Sequence, residues 1–98
     1  MDICKTKNGS SLTLALAGRL DTGSAPALQE VVKNELSDVT ALTFELSGLD
    51  YISSAGLRVL LMAHKTMKKQ GEMTVTGANA DICDIFDITG FSEILRIV

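Results

Sequence analysis

The stretch ALTFELSGLDYISSAGLRVLLMAHKTMKK, residues 41–69, changes its hydrophobic period in the middle and decides the fold. In residues 41–48 apolar and polar side chains alternate, which is the two-residue period of a β-strand with one buried face. From Leu57 onward apolar side chains recur at i, i+3 and i+4, and His64 falls on the same face. A strand followed directly by an amphipathic helix predicts an α/β unit.

A hairpin and a first helix are predicted before this unit. A possible short strand, residues 2–7, and an alternating segment, residues 11–18, flank the sequence KNGS, whose Asn-Gly pair readily takes the positive φ angles of a tight turn. The apolar residues of APALQEVVKNEL, residues 25–36, then recur at helical spacing. We expect Thr22 or Ser24 to cap this helix, because both side chains can accept a hydrogen bond from a free N–H.

One more strand, a third helix and an apolar tail are predicted after the unit. Gly71 is expected to cap the end of the second helix, and EMTVTG, residues 72–77, alternates as a strand. The segment NADICDIFDITG is expected to start its helix near Asn79 or Asp81 and to end it at Gly90. The tail FSEILRIV is predicted to form a last strand or a packed final segment.

The length and the order of these elements predict an α/β fold in a single domain, residues 1–98. The order is β-β-α-β-α-β-α followed by the tail. Alternating strands and helices favour parallel pairing with right-handed crossovers, and the first two strands form an antiparallel hairpin. We therefore predict a small mixed sheet covered by helices.

The charge and hydropathy of the chain argue against nucleic acid and membrane insertion. A net charge of −3 argues against nucleic-acid binding, which requires a concentrated basic surface. The one dense basic cluster lies where cations complement the dipole of the second helix: Lys65, Lys68 and Lys69. No apolar segment approaches the ~20 residues that span a bilayer, and MDICKTK lacks the apolar region of a signal peptide. We expect a cytoplasmic protein that does not insert directly into membranes and binds no nucleic acid.

The residues that catalysis or metal binding would need are few and scattered. His64 is the sole histidine and lies on the predicted apolar face, which favours a partly buried structural role over a metal ligand. SSAG does not match the G-x-S-x-G elbow of a serine hydrolase. Cys4 and Cys83 are distant in sequence and are predicted to be small buried residues. We predict no catalytic residue, no metal site and no cofactor.

Two loops are predicted to meet at the carboxyl ends of neighbouring strands, where open α/β sheets usually place their sites. GRLDTGS carries Asp21 and Thr22, and GLDYISSAG carries Ser53 and Ser54. The simplest role of either serine is to cap the following helix, because its oxygen accepts a bond from an N–H one turn on. The small residues that follow leave a hydroxyl and the backbone open to close approach by another protein.

Four segments resemble, in order, those of the STAS family, and specifically of the small bacterial anti-sigma factor antagonists. GRLDTGSAPALQE is similar to the family's G-x-L-D segment, and LTFELSGLDYISSAGLRVLL is similar to its strand and D-S-[ST]-G-L signature. GEMTVTGAN and FDITGFSEILRI resemble its later strand and closing helix. The resemblance covers nearly the whole chain and implies the STAS fold.

The resemblance implies a non-enzymatic regulator that switches partners. In that family the serine two places before the signature glycine is phosphorylated by a serine/threonine kinase that is itself the anti-sigma factor, and this serine is Ser54 here. The unphosphorylated antagonist binds the kinase and frees the sigma factor, which changes transcription. Phosphorylation breaks the complex, and a serine phosphatase restores it. We expect a monomer or weak dimer. The implied partner surface contains six residues: Asp21, Thr22, Ser53, Ser54, Gly56 and Arg58.

The sequence departs from the strictest family pattern, and one rival function stays open. Ser53 stands where many members carry aspartate, which makes it a second, less favoured candidate for phosphorylation, and Ala55 stands where they carry serine or threonine. The rival is a STAS docking subunit of a membrane lipid or solute transport complex, which would need no phosphorylation. A small enzyme that uses the same cleft is disfavoured, because the chain offers no credible base, metal set or nucleotide loop.

Overall fold

The computed structural model describes all 98 residues and contains a five-stranded mixed sheet with the strand order β1-β2-β3-β4-β5. The elements are β1 (Asp2–Asn8), β2 (Ser11–Leu20), α1 (Ala25–Glu35), β3 (Ala41–Ile52), α2 (Ser54–Lys68), β4 (Glu72–Thr76), α3 (Ala80–Thr89), α4 (Phe91–Ile94) and β5 (Arg96–Ile97). β1 pairs antiparallel with β2, and every later pair is parallel. The predicted fold class is therefore confirmed.

The alternation of the strands separates a buried face of the sheet from an open one. Leu14, Phe44 and Val75 are register partners on three adjacent strands and are 0% exposed. Their neighbours Thr13 and Thr43, which point the other way, are only half-buried. Right-handed crossovers between successive parallel strands place the helices on one side of a sheet, which accounts for this asymmetry.

The turn and the caps of α3 form as the sequence predicts. Gly9 takes a positive φ of 64° in the hairpin between β1 and β2. Asn79 is the N-cap of α3: its Oδ1 accepts a bond from the Ile82 N–H at 2.9 Å, and its Nδ2 donates to the Leu49 carbonyl at 3.2 Å. Gly90 ends α3 in the left-handed region. Asn79 thus also ties α3 to the middle of the sheet.

The strands that lead to the candidate site are longer than predicted. β2 continues to Leu20 and β3 continues to Ile52, so that a single residue separates β3 from α2. Two register shifts, between Ala15 and Ala17 and between Gly18 and Arg19, each add one residue to β3, and pairing resumes after the second between Arg19 and Tyr51. A bulge of this kind lets a strand pass an irregular position and bends it. The alternation rule fails at such a point, and the sequence therefore suggested early strand ends.

Two smaller expectations were wrong. Lys69, in a right-handed conformation, caps α2 in place of Gly71. A side chain at Gly71 would instead overlap the Thr40 backbone, so the glycine is required for close approach of two chain segments. Cys4 is exposed on the edge strand β1, and Cys83 is only half-buried. None of the helices combines the length and the apolar character needed to cross a membrane.

Candidate functional site

The loop after β2 and the junction after β3 lie side by side, as the sequence predicts for the carboxyl ends of adjacent parallel strands. The Ser53 N–H donates to the Leu20 carbonyl at 2.8 Å, which joins the last residue of β2 to the first residue beyond β3. Residues 21–24 then lead into α1, and Ser54 begins α2. The loop with Asp21 and the helix start with Ser54 are thereby held against each other.

Gly56 allows α2 to rest directly on the end of the sheet. A Cβ atom at this position would lie 2.6 Å from Leu20 Cγ and 3.0 Å from Ile52 Cγ1. Such distances are too short for carbon contacts, so only glycine fits without displacement. Gly56 is buried. Any contribution that it makes to a partner surface is indirect, through the position of the two serines above it.

The two adjacent serines occupy different positions. Ser53 has extended backbone angles and is the N-cap of α2, and its Oγ accepts a bond from the Gly56 N–H at 3.4 Å. Ser54 is the first residue of the helix, is exposed, and makes no side-chain hydrogen bond. The sequence left the capping role open between the two serines, and the structure assigns it to Ser53.

Asp21 organises the loop before α1. Its Oδ1 accepts bonds from the Gly23 and Ser24 N–H groups, both at 3.1 Å. The bond from the Ser24 backbone is the chief cause that lowers the pKa of Asp21, and it favours the charged form of this carboxylate. Ser24 is the N-cap residue of α1 by position, but its hydroxyl donates to the Arg19 carbonyl at 2.8 Å and caps no helical N–H. The predicted side-chain cap of α1 is therefore absent, and Thr22 is an exposed loop residue.

Sequence reasoning missed the pair formed by Arg19 and Tyr51. These register partners extend from adjacent strands, and the Arg19 guanidinium carbon lies 4.3 Å from the centre of the Tyr51 ring. Arg19 Nε is also 3.8 Å from Asp21 Oδ2. Tyr51 is 38% exposed. The signal was present in GRLD and DYIS, because arginine and tyrosine are the residue types that dominate binding surfaces.

An open groove between α1 and α2 begins beside the same loops. Its volume is about 470 Å³, and both Thr22 and Arg58 line it, so the structure brings these two predicted site residues together. Asp21 and Ser54 are outside its lining. Arg58 and Lys65 are the charged residues of the lining, and no carboxylate is among them. The groove therefore combines apolar walls with a positive rim.

The site has no geometry for activating either serine as a nucleophile. His64 is half-buried on α2, and its Cα is about 15 Å along the helix axis from Ser54. No three side chains among His, Cys, Asp and Glu are grouped in a way that could hold a metal ion. What the arrangement offers is an exposed hydroxyl next to a structured acidic loop and a cationic groove.

Comparison with known proteins places these features in a family context. The sequence model of the STAS domain family matches residues 2–98 of this chain. The chain is 30% identical over 92 residues to the anti-sigma-B factor antagonist of Bacillus subtilis, a match that covers 93% of this chain and 84% of that protein.

Solved structures share the fold at lower sequence identity. The crystal structure of an anti-sigma factor antagonist from Mycobacterium paratuberculosis has a TM-score of 0.89 at 20% identity, over 98% of this chain and 83% of the other. The Bacillus cell fate determinant SpoIIAA in its phosphorylated form has a TM-score of 0.79 at 13% identity, over 99% of this chain and 91% of that one.

Proposed function

The chain belongs to the STAS domain family, with the anti-sigma factor antagonists as its relatives, and on this premise we propose that it regulates transcription by switching partners. In its unphosphorylated form it binds an anti-sigma factor that is also a serine/threonine kinase. Phosphorylation of Ser54 by that kinase breaks the complex, and a serine phosphatase restores it. The chain itself has no catalytic role and needs no cofactor.

The observation that carries this proposal is that Ser53 caps α2 whereas the Ser54 hydroxyl is exposed and makes no hydrogen bond. Ser53 supplies the cap that α2 requires, so Ser54 is not needed to satisfy the helix N-terminus. The exposed hydroxyl of Ser54 can enter a kinase active site without breaking a hydrogen bond of the fold. Ser53 is half-buried and engaged, which supports Ser54 as the acceptor and Ser53 as the poorer candidate.

A phosphate on Ser54 is compatible with an intact domain. It would add nearly two negative charges at the start of α2, where the helix dipole and free N–H groups favour an anion. The phosphate would instead weaken the binding of a partner that covers the same surface, because a bulky anion would be placed in the interface beside the charged Asp21. The switch therefore needs no change of fold.

The partner surface proposed here contains the six residues expected from the sequence, with Gly56 acting from below. Asp21, Thr22, Ser53 and Ser54 belong to the two adjoining loops, and Arg58 lies one turn into α2. The exposed pair of Arg19 and Tyr51 extends this surface at the carboxyl ends of β2 and β3. The proposed surface, with Gly56 beneath it, contains these residues: Arg19, Asp21, Thr22, Tyr51, Ser53, Ser54, Gly56 and Arg58.

Mass spectrometry of the protein from its own cells tests the proposal. The protein is isolated with phosphatase inhibitors under several growth and stress conditions, and fragment ions distinguish phosphate on Ser54 from phosphate on Ser53. We expect phosphate on Ser54, at a level that changes with condition. A chain that stays unmodified in every condition would contradict the proposal. It would favour the rival function, a docking subunit that remains bound to a membrane transport complex.

A further inference from the structure

Arg58 is the one arginine of the chain without an acidic neighbour. Arg19 lies near Asp21, and Arg96 lies 4.0 Å from Glu72. The side chain of Arg58 takes part in none of the four ion pairs and in no hydrogen bond, although the residue is exposed. It stands in the wall of the groove between α1 and α2, where no carboxylate is present. An arginine in this state is free to bind an anion that arrives later.

Ser54 is the residue from which such an anion can reach Arg58. The two residues are four positions apart in α2, so their side chains are neighbours on the helix surface. An anion four residues before a cation is the favourable order of an i, i+4 pair. A guanidinium also matches a phosphate with two parallel hydrogen bonds, which an ammonium cannot do.

We infer that Arg58 pairs with the phosphate of Ser54, so that phosphorylation changes the charge of the groove between α1 and α2. This inference rests on the function proposed above. In the unphosphorylated protein the guanidinium is available at the groove, and in the phosphorylated protein it turns back towards position 54. The groove then loses one of its two cations. A partner that binds in this groove would lose its contact with the Arg58 guanidinium, and it would also be repelled by the phosphate itself.

Lys65 provides a matched comparison within the same groove. It is the other cation of the lining, but its Cα lies about 16 Å along α2 from Ser54, beyond the reach of a phosphate at that position. Replacing either residue with glutamine removes one positive charge from the groove. Only the replacement of Arg58 removes the proposed partner of the phosphate.

The experiment uses the full chain with phosphoserine incorporated at position 54 during translation, so that no kinase is required. The second pKa of the phosphate is measured by phosphorus NMR in the parent protein, in Arg58→Gln and in Lys65→Gln. We expect Arg58→Gln to raise this pKa by about 0.3 pH unit, the equivalent of one i, i+4 ion pair, and Lys65→Gln to leave it nearly unchanged. Incorporating the phosphate should also shift the amide signals of Thr22 and Gln29 across the groove, and these shifts should disappear in Arg58→Gln.

The outcomes separate this inference from the proposed function. Equal phosphate pKa values in the parent and in Arg58→Gln, or equal changes in the two variants, would overturn the role of Arg58 even if Ser54 is phosphorylated in cells. The expected pattern would support that role even if the cellular kinase acts elsewhere, because the phosphate was introduced directly. Circular dichroism of the three proteins establishes that each remains folded.

Discussion

Arg19 lies over the ring of Tyr51, with its guanidinium carbon 4.3 Å from the ring centre, and the two residues are register partners across β2 and β3. The same guanidinium reaches towards Asp21, 3.8 Å from Nε to Oδ2. Arg19 therefore contacts both the exposed Tyr51 and the half-buried Asp21, and these contacts restrain its side chain beside the two serines. A restrained arginine and tyrosine lose less side-chain entropy on binding, which suits them to anchor a partner.

The contact between Arg19 and Tyr51 should be measurable as a coupling energy. We predict about 0.5 kcal/mol between Arg19→Met and Tyr51→Leu in a double-mutant cycle of urea unfolding, since exposed cation–π pairs are worth roughly this much. Tyr51→Phe keeps the ring and should retain most of the coupling. Strict additivity of Arg19→Met and Tyr51→Leu would show that the contact contributes nothing to stability.

Gly56→Ala should destabilise the domain by about 1–3 kcal/mol, because the added methyl group overpacks the space between α2 and the end of β2. The free energy of unfolding in urea measures this loss. Gly23→Ala is the matched control: its backbone is not left-handed and its new Cβ would meet only Asp21 Oδ1, at 3.5 Å. A Gly56→Ala protein as stable as Gly23→Ala would contradict the packing account.

Ser53→Ala and Ser54→Ala should differ in stability although they remove the same atom from adjacent residues. The first variant loses the N-cap of α2 and should cost about 1 kcal/mol. The second loses a hydroxyl without a hydrogen-bond partner and should be nearly neutral. Urea unfolding of the two variants side by side makes the test, and a reversed order would place the cap on Ser54.

The fold could be predicted from the sequence because its signals are local and mutually consistent. The Asn-Gly turn, the alternation around Phe44 and the caps Asn79 and Gly90 each depend on a few neighbouring residues, and the structure confirms them. The two glycines Gly56 and Gly71 are different. Their necessity arises from contacts with Leu20 and Thr40, which are distant in sequence, and no local pattern contains that information.

The site could be predicted only in part for the same reason. The resemblance to a family located Ser54, and the carboxyl-end rule placed its loop beside Asp21. The choice between Ser53 and Ser54 as the cap depends on one hydrogen bond, which both side chains could make. The contact of Arg19 with Tyr51 depends on two register shifts between β2 and β3, which add two residues to β3 that alternation cannot reveal.

The loop carboxylate should make the domain sensitive to acid in a defined direction. The backbone bond from Ser24 lowers the pKa of Asp21 below its ordinary value of 3.8. The charged carboxylate therefore stabilises the fold fully above that value, and its contribution is lost as the pH falls through the lowered pKa. The stability advantage of the parent over Asp21→Asn should be constant at neutral and mildly acidic pH and should shrink below 3.8.

Urea unfolding of the parent and of Asp21→Asn across that pH range measures the change. Asp38 and Glu45 also have lowered pKa values, through a bond from Lys7 and a bond from Ser47 respectively, but they are present in both proteins and cancel in the difference. A difference that grows as the pH falls would mean that the carboxylate opposes folding.

Binding of the partner kinase should depend on charge at position 54 and not on the hydroxyl itself. Ser54→Ala should bind with nearly the parent affinity and accept no phosphate there, because the hydroxyl makes no bond within the fold. Ser54→Asp should bind roughly tenfold or more weakly, since it places an uncompensated negative charge within the proposed interface. Titration calorimetry measures the affinities.

Ser92→Asp, which adds the same charge on the exposed surface of α4, is the control and should bind like the parent. Equal affinities for Ser54→Asp and Ser54→Ala would remove Ser54 from the interface.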